Sequence, residues 1–174
     1  MSKTTQDSAA PAHGQQVISA CAFIHHNFDG VTKLFLPKRA DTKKFLPGMY
    51  ELPGGHIDFG EDIVAGLKRE IKEELHMTIS VGDPFFAGTY VNHVKGSHSV
   101  QVNYFAQFIE PIENISLNPE DHSTYGWFTK EEVKGLRNAI TADSQVTHKY
   151  SDDPEYLAMM RGFELLEGGS MRFT

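Results

Sequence analysis

Apolar and polar positions divide the chain into short extended runs and three helical ones. Val17–Phe23 is continuously apolar and rich in strand formers, which predicts a buried strand followed by a turn at Asn27–Gly30. Lys33–Leu36 predicts a second strand, stopped by Pro37. Asp41–Met49 reads as a loop, and Tyr50–Leu52 as an extended piece leading to Pro53-Gly54-Gly55. His56–Phe59 continues extended. From Gly60-Glu61 the period changes. Ile63, Leu67, Ile71 and Leu75 recur every fourth residue and form the apolar stripe of a helix that ends near Leu75.

Thr78–Val81 predicts a strand broken at Gly82-Asp83-Pro84. Phe85–Val94 and Ser99–Ile109 predict a hairpin about Lys95-Gly96-Ser97, with Val100, Val102, Tyr104, Ala106 and Phe108 alternating onto one face. Glu110–Ser123 is a polar loop and Tyr125–Phe128 a short strand. Thr129 to Glu132 is a capping box, with Phe128 and Val133 as its staple, opening a helix to about Leu136. Asn138–Tyr150 reads as irregular. Asp153 N-caps a last helix with Pro154 at its first position, Tyr156, Met159, Met160, Phe163 and Leu166 on its apolar face, and Gly168-Gly169 at its end.

Strands interrupted by three helices, with one antiparallel hairpin, predict an α/β chain of the α+β kind: a mixed sheet with helices packed on its faces. A chain of 174 residues can bury a sizeable core. Residues 1–16 read as a polar flexible tail and 17–174 as one domain. No run approaches the ~18 apolar residues of a membrane span, and the tail has no apolar stretch of the signal-peptide kind, so a cytoplasmic location is expected. Cys21 stands alone and reads as a small buried hydrophobe. The net charge of −7 argues against a general nucleic-acid surface, which needs a basic patch. It leaves room for a small anionic substrate, because a divalent ion inverts the local field.

The densest chemistry lies on the first helix. Glu70, Glu73 and Glu74 are three and four residues apart and share one face, with Arg69 beside them. Like charges so placed repel by about a few tenths of a kcal/mol per pair in an isolated helix. A hard divalent cation such as Mg²⁺ or Mn²⁺ would turn the repulsion into attraction. Pro53-Gly54-Gly55 brings bare backbone toward them, and a carbonyl there can add a ligand. Glu61 lies roughly 13 Å along a straight helix from Glu70. It is therefore better placed to pair with Arg69 than to join the other glutamates.

The run Gly55, five residues, Glu61, seven residues, Arg69-Glu70-Ile71-Lys72-Glu73-Glu74, and then Met77 resembles the box of the Nudix hydrolases. The departure is His76, where the family has glycine. Histidine tolerates the left-handed backbone expected there at modest strain. The resemblance implies a Nudix-type α/β/α sandwich around a mixed sheet. It implies hydrolysis, with Mg²⁺ or Mn²⁺, of a nucleoside diphosphate linked to another group. It also implies roles: Glu70, Glu73, Glu74 and the Gly54 carbonyl as metal ligands, with Gly55 at the substrate and Glu61 with Arg69 as the supporting pair. Arg39, at the end of the second strand, is either a solvated charge or points into the site to meet phosphate. Either Glu70 or an acidic residue of the late loop, Glu120 first and Asp121 second, takes the proton of the attacking water.

The resemblance implies a small nucleotide-type substrate and admits a homodimer. The other class in view is a Nudix-like module that binds a nucleotide or a protein without hydrolysis. Substrate choice falls outside the box, in residues 38–50, 85–98 and 110–124, where Tyr50, Phe85, Phe86 and Tyr90 offer rings that could stack on a base.

Overall fold

The computed structural model describes residues 15–92, 95–140 and 153–168. The strands are β1 (Gln15–Phe28), β2 (Val31–Arg39), β3 (Gly54–His56), β4 (Ile79–Asn92), β5 (Ser97–Phe108) and β6 (His122–Phe128). The helices are α1 (Ile63–Leu75), α2 (Lys130–Ile140) and α3 (Pro154–Leu166), with a single 3₁₀ turn at Ile112–Asn114. Sheet order is β4-β5-β1-β2-β6, with β3 beside β1. The β1–β5 pair is parallel and the others antiparallel, so the sheet is mixed as expected.

β1 is the spine. Its first half lies between β5 and β3, and its second half pairs with β2 through a hairpin whose Asp29 and Gly30 both take positive φ. Its middle, Ala20–Ile24, is buried on both faces, which is why that stretch is continuously apolar rather than alternating. Ala20, Ala22 and Ile24 face α1, where they meet Leu67, Ile71 and Leu75. Cys21 and Phe23 face the other layer, with Met159 and Phe163 of α3 and Val133 of α2. Phe23 sits edge-on to Phe85, Phe105 and Phe163. Such pairs add roughly 0.5–1.5 kcal/mol each beyond area burial. The arrangement is an α/β/α sandwich. Among the described residues no helix is long and apolar enough to cross a membrane.

Several boundaries differ from the expectations; β1 opens at Gln15, inside the expected tail, and runs to Phe28, and β6 opens at His122, inside the expected loop. Pro37 does not stop β2 but pairs with Tyr125 within it. In an extended chain a residue's N–H and C=O point to the same side. The Pro37 carbonyl accepts from Glu51 N at 3.0 Å, so the missing N–H lies on that side and costs the β2–β6 ladder nothing. Gly82-Asp83-Pro84 do not break the chain into two strands. They are a bulged stretch of the continuous β4, where the register against β5 shifts. α1 begins after Asp62, whose carboxylate accepts from Val64 N and Ala65 N, so Gly60 and Glu61 precede the helix. α2 runs past Leu136 to Ile140; the irregular stretch expected from Asn138 otherwise falls in 141–152, outside the described residues. The capping box at Thr129 and Glu132 is formed, as is the Asp153 cap of α3.

Candidate active site

Leu67, Ile71 and Leu75 anchor one face of α1 in the core, which turns Glu70 and Glu74 toward the strap at Gly54-Gly55. The strap has no room for side chains. Gly54 has φ +138°, and a Cβ there would lie 2.2 Å from the Ala20 carbonyl oxygen; at Gly55 it would lie 2.4 Å from Glu70 Oε2. Gly54 N donates to Glu74 Oε2 at 3.3 Å. The strap is pinned by Ala22 N to Pro53 O at 2.9 Å, and by Leu52 N to the buried carboxylate of Glu155.

Arg69 is the brace. Its Nε and Nη2 each meet one oxygen of Glu61 at 3.0 Å, the pairing expected from sequence. Nη1 donates to Glu70 Oε1 at 2.8 Å and to Glu73 Oε2 at 3.3 Å, and Nη2 also donates to the His56 carbonyl. Bidentate pairing fixes a guanidinium in plane as well as position. These bonds keep Arg69 charged and hold the Glu61 carboxyl below the usual glutamate range.

Arg69 offsets only part of the carboxylate charge gathered here. Burial pushes the Glu74 carboxyl well above the ordinary range, and the charges of Glu51, Glu70 and Asp121 push it further. Burial also raises Glu70, against the pull of Arg69 and with the help of Glu73 and Asp121. Buried oxygens that repel one another are the donor set a hard cation suits. As arranged, with Arg69 gripping Glu70 and Glu73, no three His, Cys, Asp or Glu side chains among the described residues are gathered closely enough to clasp an ion. Glu70 and Glu74 meet at the strap, whereas Glu73 is mostly exposed. The residues fit a divalent ion in chemical type, and its arrival would redistribute the oxygens Arg69 now holds.

Of the two late-loop acids, the structure brings Asp121 to the site. Its charge raises both Glu70 and Glu74, while Glu120 is exposed and its backbone N–H bonds Asn118 Oδ1. Asp121 is held by Asn118 Nδ2 at 2.7 Å and Lys43 Nζ at 2.5 Å. Asn118 in turn donates its backbone N–H to the Glu74 carbonyl, which docks this loop on the end of α1. Arg39 is held by Glu51, with Nη1 at 3.0 and 2.8 Å from its two oxygens, and by the Phe45 carbonyl. Glu51 also meets the buried His122 at 2.9 Å. Glu51, Lys43 and Glu155 escaped the sequence reading. Each has a partner 70 or more residues away, as in His122–Glu51, Lys43–Asp121 and Leu52–Glu155, although Glu51 also pairs with the nearer Arg39. Only the position of Glu51, two residues before the Pro53-Gly54-Gly55 run, offered a signal.

The chain resembles known proteins over most of its length. It is 29% identical over 118 residues to the uncharacterized Nudix hydrolase YfcD of Escherichia coli K12, covering 67% of this chain and 62% of that protein's length. It is 24% identical over 164 residues to a MutT-like protein of Streptomyces ambofaciens, covering 90% and 95%. Its fold matches the crystal structure of a MutT protein from Methanosarcina mazei with a TM-score of 0.65 at 19% identity, covering 92% and 100% of the two chains. It matches a C. elegans Ap4A hydrolase binary complex with the same score and identity, covering 87% and 98%. The NUDIX domain model matches residues 17–150, and the chain therefore belongs to the Nudix hydrolase family.

Proposed function

We propose that this protein hydrolyses the pyrophosphate bond of a nucleoside diphosphate joined to another group, with Mg²⁺ or Mn²⁺ as cofactor. The carrying observation is the Glu70–Glu74 carboxylate pair, two acids raised by burial with one arginine on Glu70, behind a side-chain-free strap. Glu70, Glu74 and the Gly54 carbonyl would hold the ion, with Glu73 joining once released from Arg69. The ion supplies charge neutralisation of the diphosphate and alignment for in-line attack by water.

The protein's own residues do the rest. Glu61 and Arg69 fix Glu70 in position. Gly55 gives the substrate access to backbone. Asp121 takes the place expected of Glu120, as the late-loop carboxylate able to accept the proton of the attacking water, with Glu70 as the other group within the cluster. Arg39 shapes the substrate side by locking Glu51 and the loop after β2.

The test is release of phosphate or nucleotide from a panel of nucleoside triphosphates, nucleotide sugars, ADP-ribose and dinucleoside polyphosphates, with each metal. Glu70→Gln is expected to lower kcat by roughly 10²- to 10⁴-fold while the thermal melt stays cooperative. Wild-type turnover in that variant removes Glu70 from the chemistry. Silence across the panel together with tight nucleotide binding would favour a binding module instead.

A further inference from the structure

On the sheet face away from α1, the end beside the strap is polar. Ser19, Ser99, Gln101 and Asn103 lie there and are each 4% exposed or less. Ser19 pairs in register with His56 on one side and Gln101 on the other, so this strip adjoins Gly55 directly. Gln101 Nε2 donates to Asn103 Oδ1 at 3.0 Å, while the fully buried Asn103 Nδ2 has no partner among the described residues. A buried donor of this kind calls for an acceptor.

Tyr90 lies over the strip, paired in register with Ser99 on β5, with the Ser99 and Ser19 side chains near its hydroxyl. The other three rings considered from sequence are occupied elsewhere. Phe85 and Phe86 pack into the α3 core and Tyr50 meets Phe128 edge-on. Tyr90 alone of the four is faced by a ring from a loop. Phe45 stands 6.2 Å from it, centroid to centroid, and only 11° from parallel. The Phe45 loop is drawn onto the sheet by the Arg39 bond to the Phe45 carbonyl and by the Lys43–Asp121 ion pair. Leu46, the next residue, sits at φ +48°, a conformation an apolar side chain adopts only when its surroundings enforce it.

We infer that Tyr90 is the platform on which the planar ring of the substrate stacks, and that Phe45 is a plug covering it until that ring takes its place. This rests on the proposed diphosphate chemistry at the adjoining site. A nucleobase is the ligand class that matches, because it joins an aromatic face for Tyr90 to a hydrogen-bonding edge for the buried amides. A purely apolar group would leave the polar floor unsatisfied, and a sugar would offer Tyr90 no aromatic face. Since Lys43 ties the same loop to Asp121, lifting the plug would draw Lys43 away and leave Asp121 held by Asn118.

The test is calorimetric titration of the full chain, with Mg²⁺, using AMP, GMP, CMP, UMP and the base-free ribose 5-phosphate. At least one nucleotide is expected to bind about tenfold or more tightly than ribose 5-phosphate, the usual gain from stacking one base. Tyr90→Leu should reduce that ratio to about twofold or less with ribose 5-phosphate unchanged, and Tyr90→Phe should keep most of it. Phe45→Ala should tighten the nucleotide several-fold, since the plug no longer competes. No nucleotide preference in the wild type, or a preference that survives in a folded Tyr90→Leu, overturns the inference. If Tyr90→Leu does not fold, Phe45→Ala decides, and unchanged or weaker nucleotide binding overturns it. Binding is read without turnover, so the base preference and the hydrolytic reading fail separately.

Discussion

His76 is where this chain leaves the family box, and its surroundings explain why it can. Its backbone is left-handed, at φ 55° and ψ 25°, and caps α1 by donating its N–H to the Lys72 carbonyl. Its ring Nδ1 donates to the Ser116 carbonyl at 2.7 Å. Glycine would relieve roughly 1–2 kcal/mol of left-handed strain but would lose a net bond worth roughly 0.5–1.5 kcal/mol. His76→Gly should therefore shift unfolding by no more than about 1 kcal/mol. His76→Ala loses the bond as His76→Gly does but keeps the strain, so it should cost about 1 kcal/mol or more relative to His76→Gly. Urea melts of the two variants check the order, and an alanine variant as stable as the glycine one would show that the left-handed backbone at this position carries no strain.

At the scale of the element, the start of α1 separates stability from activity across two adjacent residues. Asp62 caps the helix through Val64 N and Ala65 N, and Asp62→Ala should cost about 1 kcal/mol in a denaturant melt with kcat little changed. Glu61 sits outside the helix, and its pairing with Arg69 is what stops that arginine from drawing Glu70 and Glu73 further aside. Glu61→Gln should leave the melt near wild type and lower kcat/KM on the order of tenfold to a hundredfold, the cost of a small misplacement at a reacting centre. Measuring both quantities on both variants tests the division. Loss of stability without loss of activity in Glu61→Gln would show that the pair only holds the turn. This helix was legible in the sequence because its information is local: spacing on α1 sets the face of Glu70 and Glu74, and the glycines before it set the strap. The choice of Asp121 over Glu120, the role of Glu51 and the Phe45–Tyr90 pair were not, since strand pairing and loop docking decide which distant residues meet. Pro37 and Gly82–Pro84 misled for a related reason. A breaker residue reports its own backbone, and only the neighbouring strand decides whether that backbone ends an element or bends it.

For the molecule as a whole, the buried acids set how stability follows pH. Burial, then the charges of Glu51 and Asp153, push the Glu155 carboxyl well above the ordinary value of 4.5, against the Leu52 N–H that it accepts. Glu74 is raised in the same way. A carboxyl raised in the folded state binds its proton more tightly there than in the unfolded chain. Its contribution is thus fully present below 4.5 and is lost as pH rises through the folded value. Glu61 is depressed and acts below 4.5, outside that window. The metal-free protein should therefore melt at a higher temperature near pH 5 than near pH 7, with each kcal/mol worth roughly 2–4 °C. Glu155→Gln keeps an oxygen for Leu52 N–H and removes the charge, so it should raise the melting temperature at pH 7, leave it unchanged near pH 4.5 and flatten the slope between. Glu74→Gln should flatten it too, and Mg²⁺ distinguishes the two. An ion at 100 times its Kd adds about 2.7 kcal/mol to the folded state, and its binding weakens as the carboxylates protonate. The Mg²⁺-induced rise at pH 7 should survive Glu155→Gln and vanish in Glu74→Gln. A rise that persists in the Glu74 variant would remove that residue from the metal site, while the pH slope would still stand on burial alone.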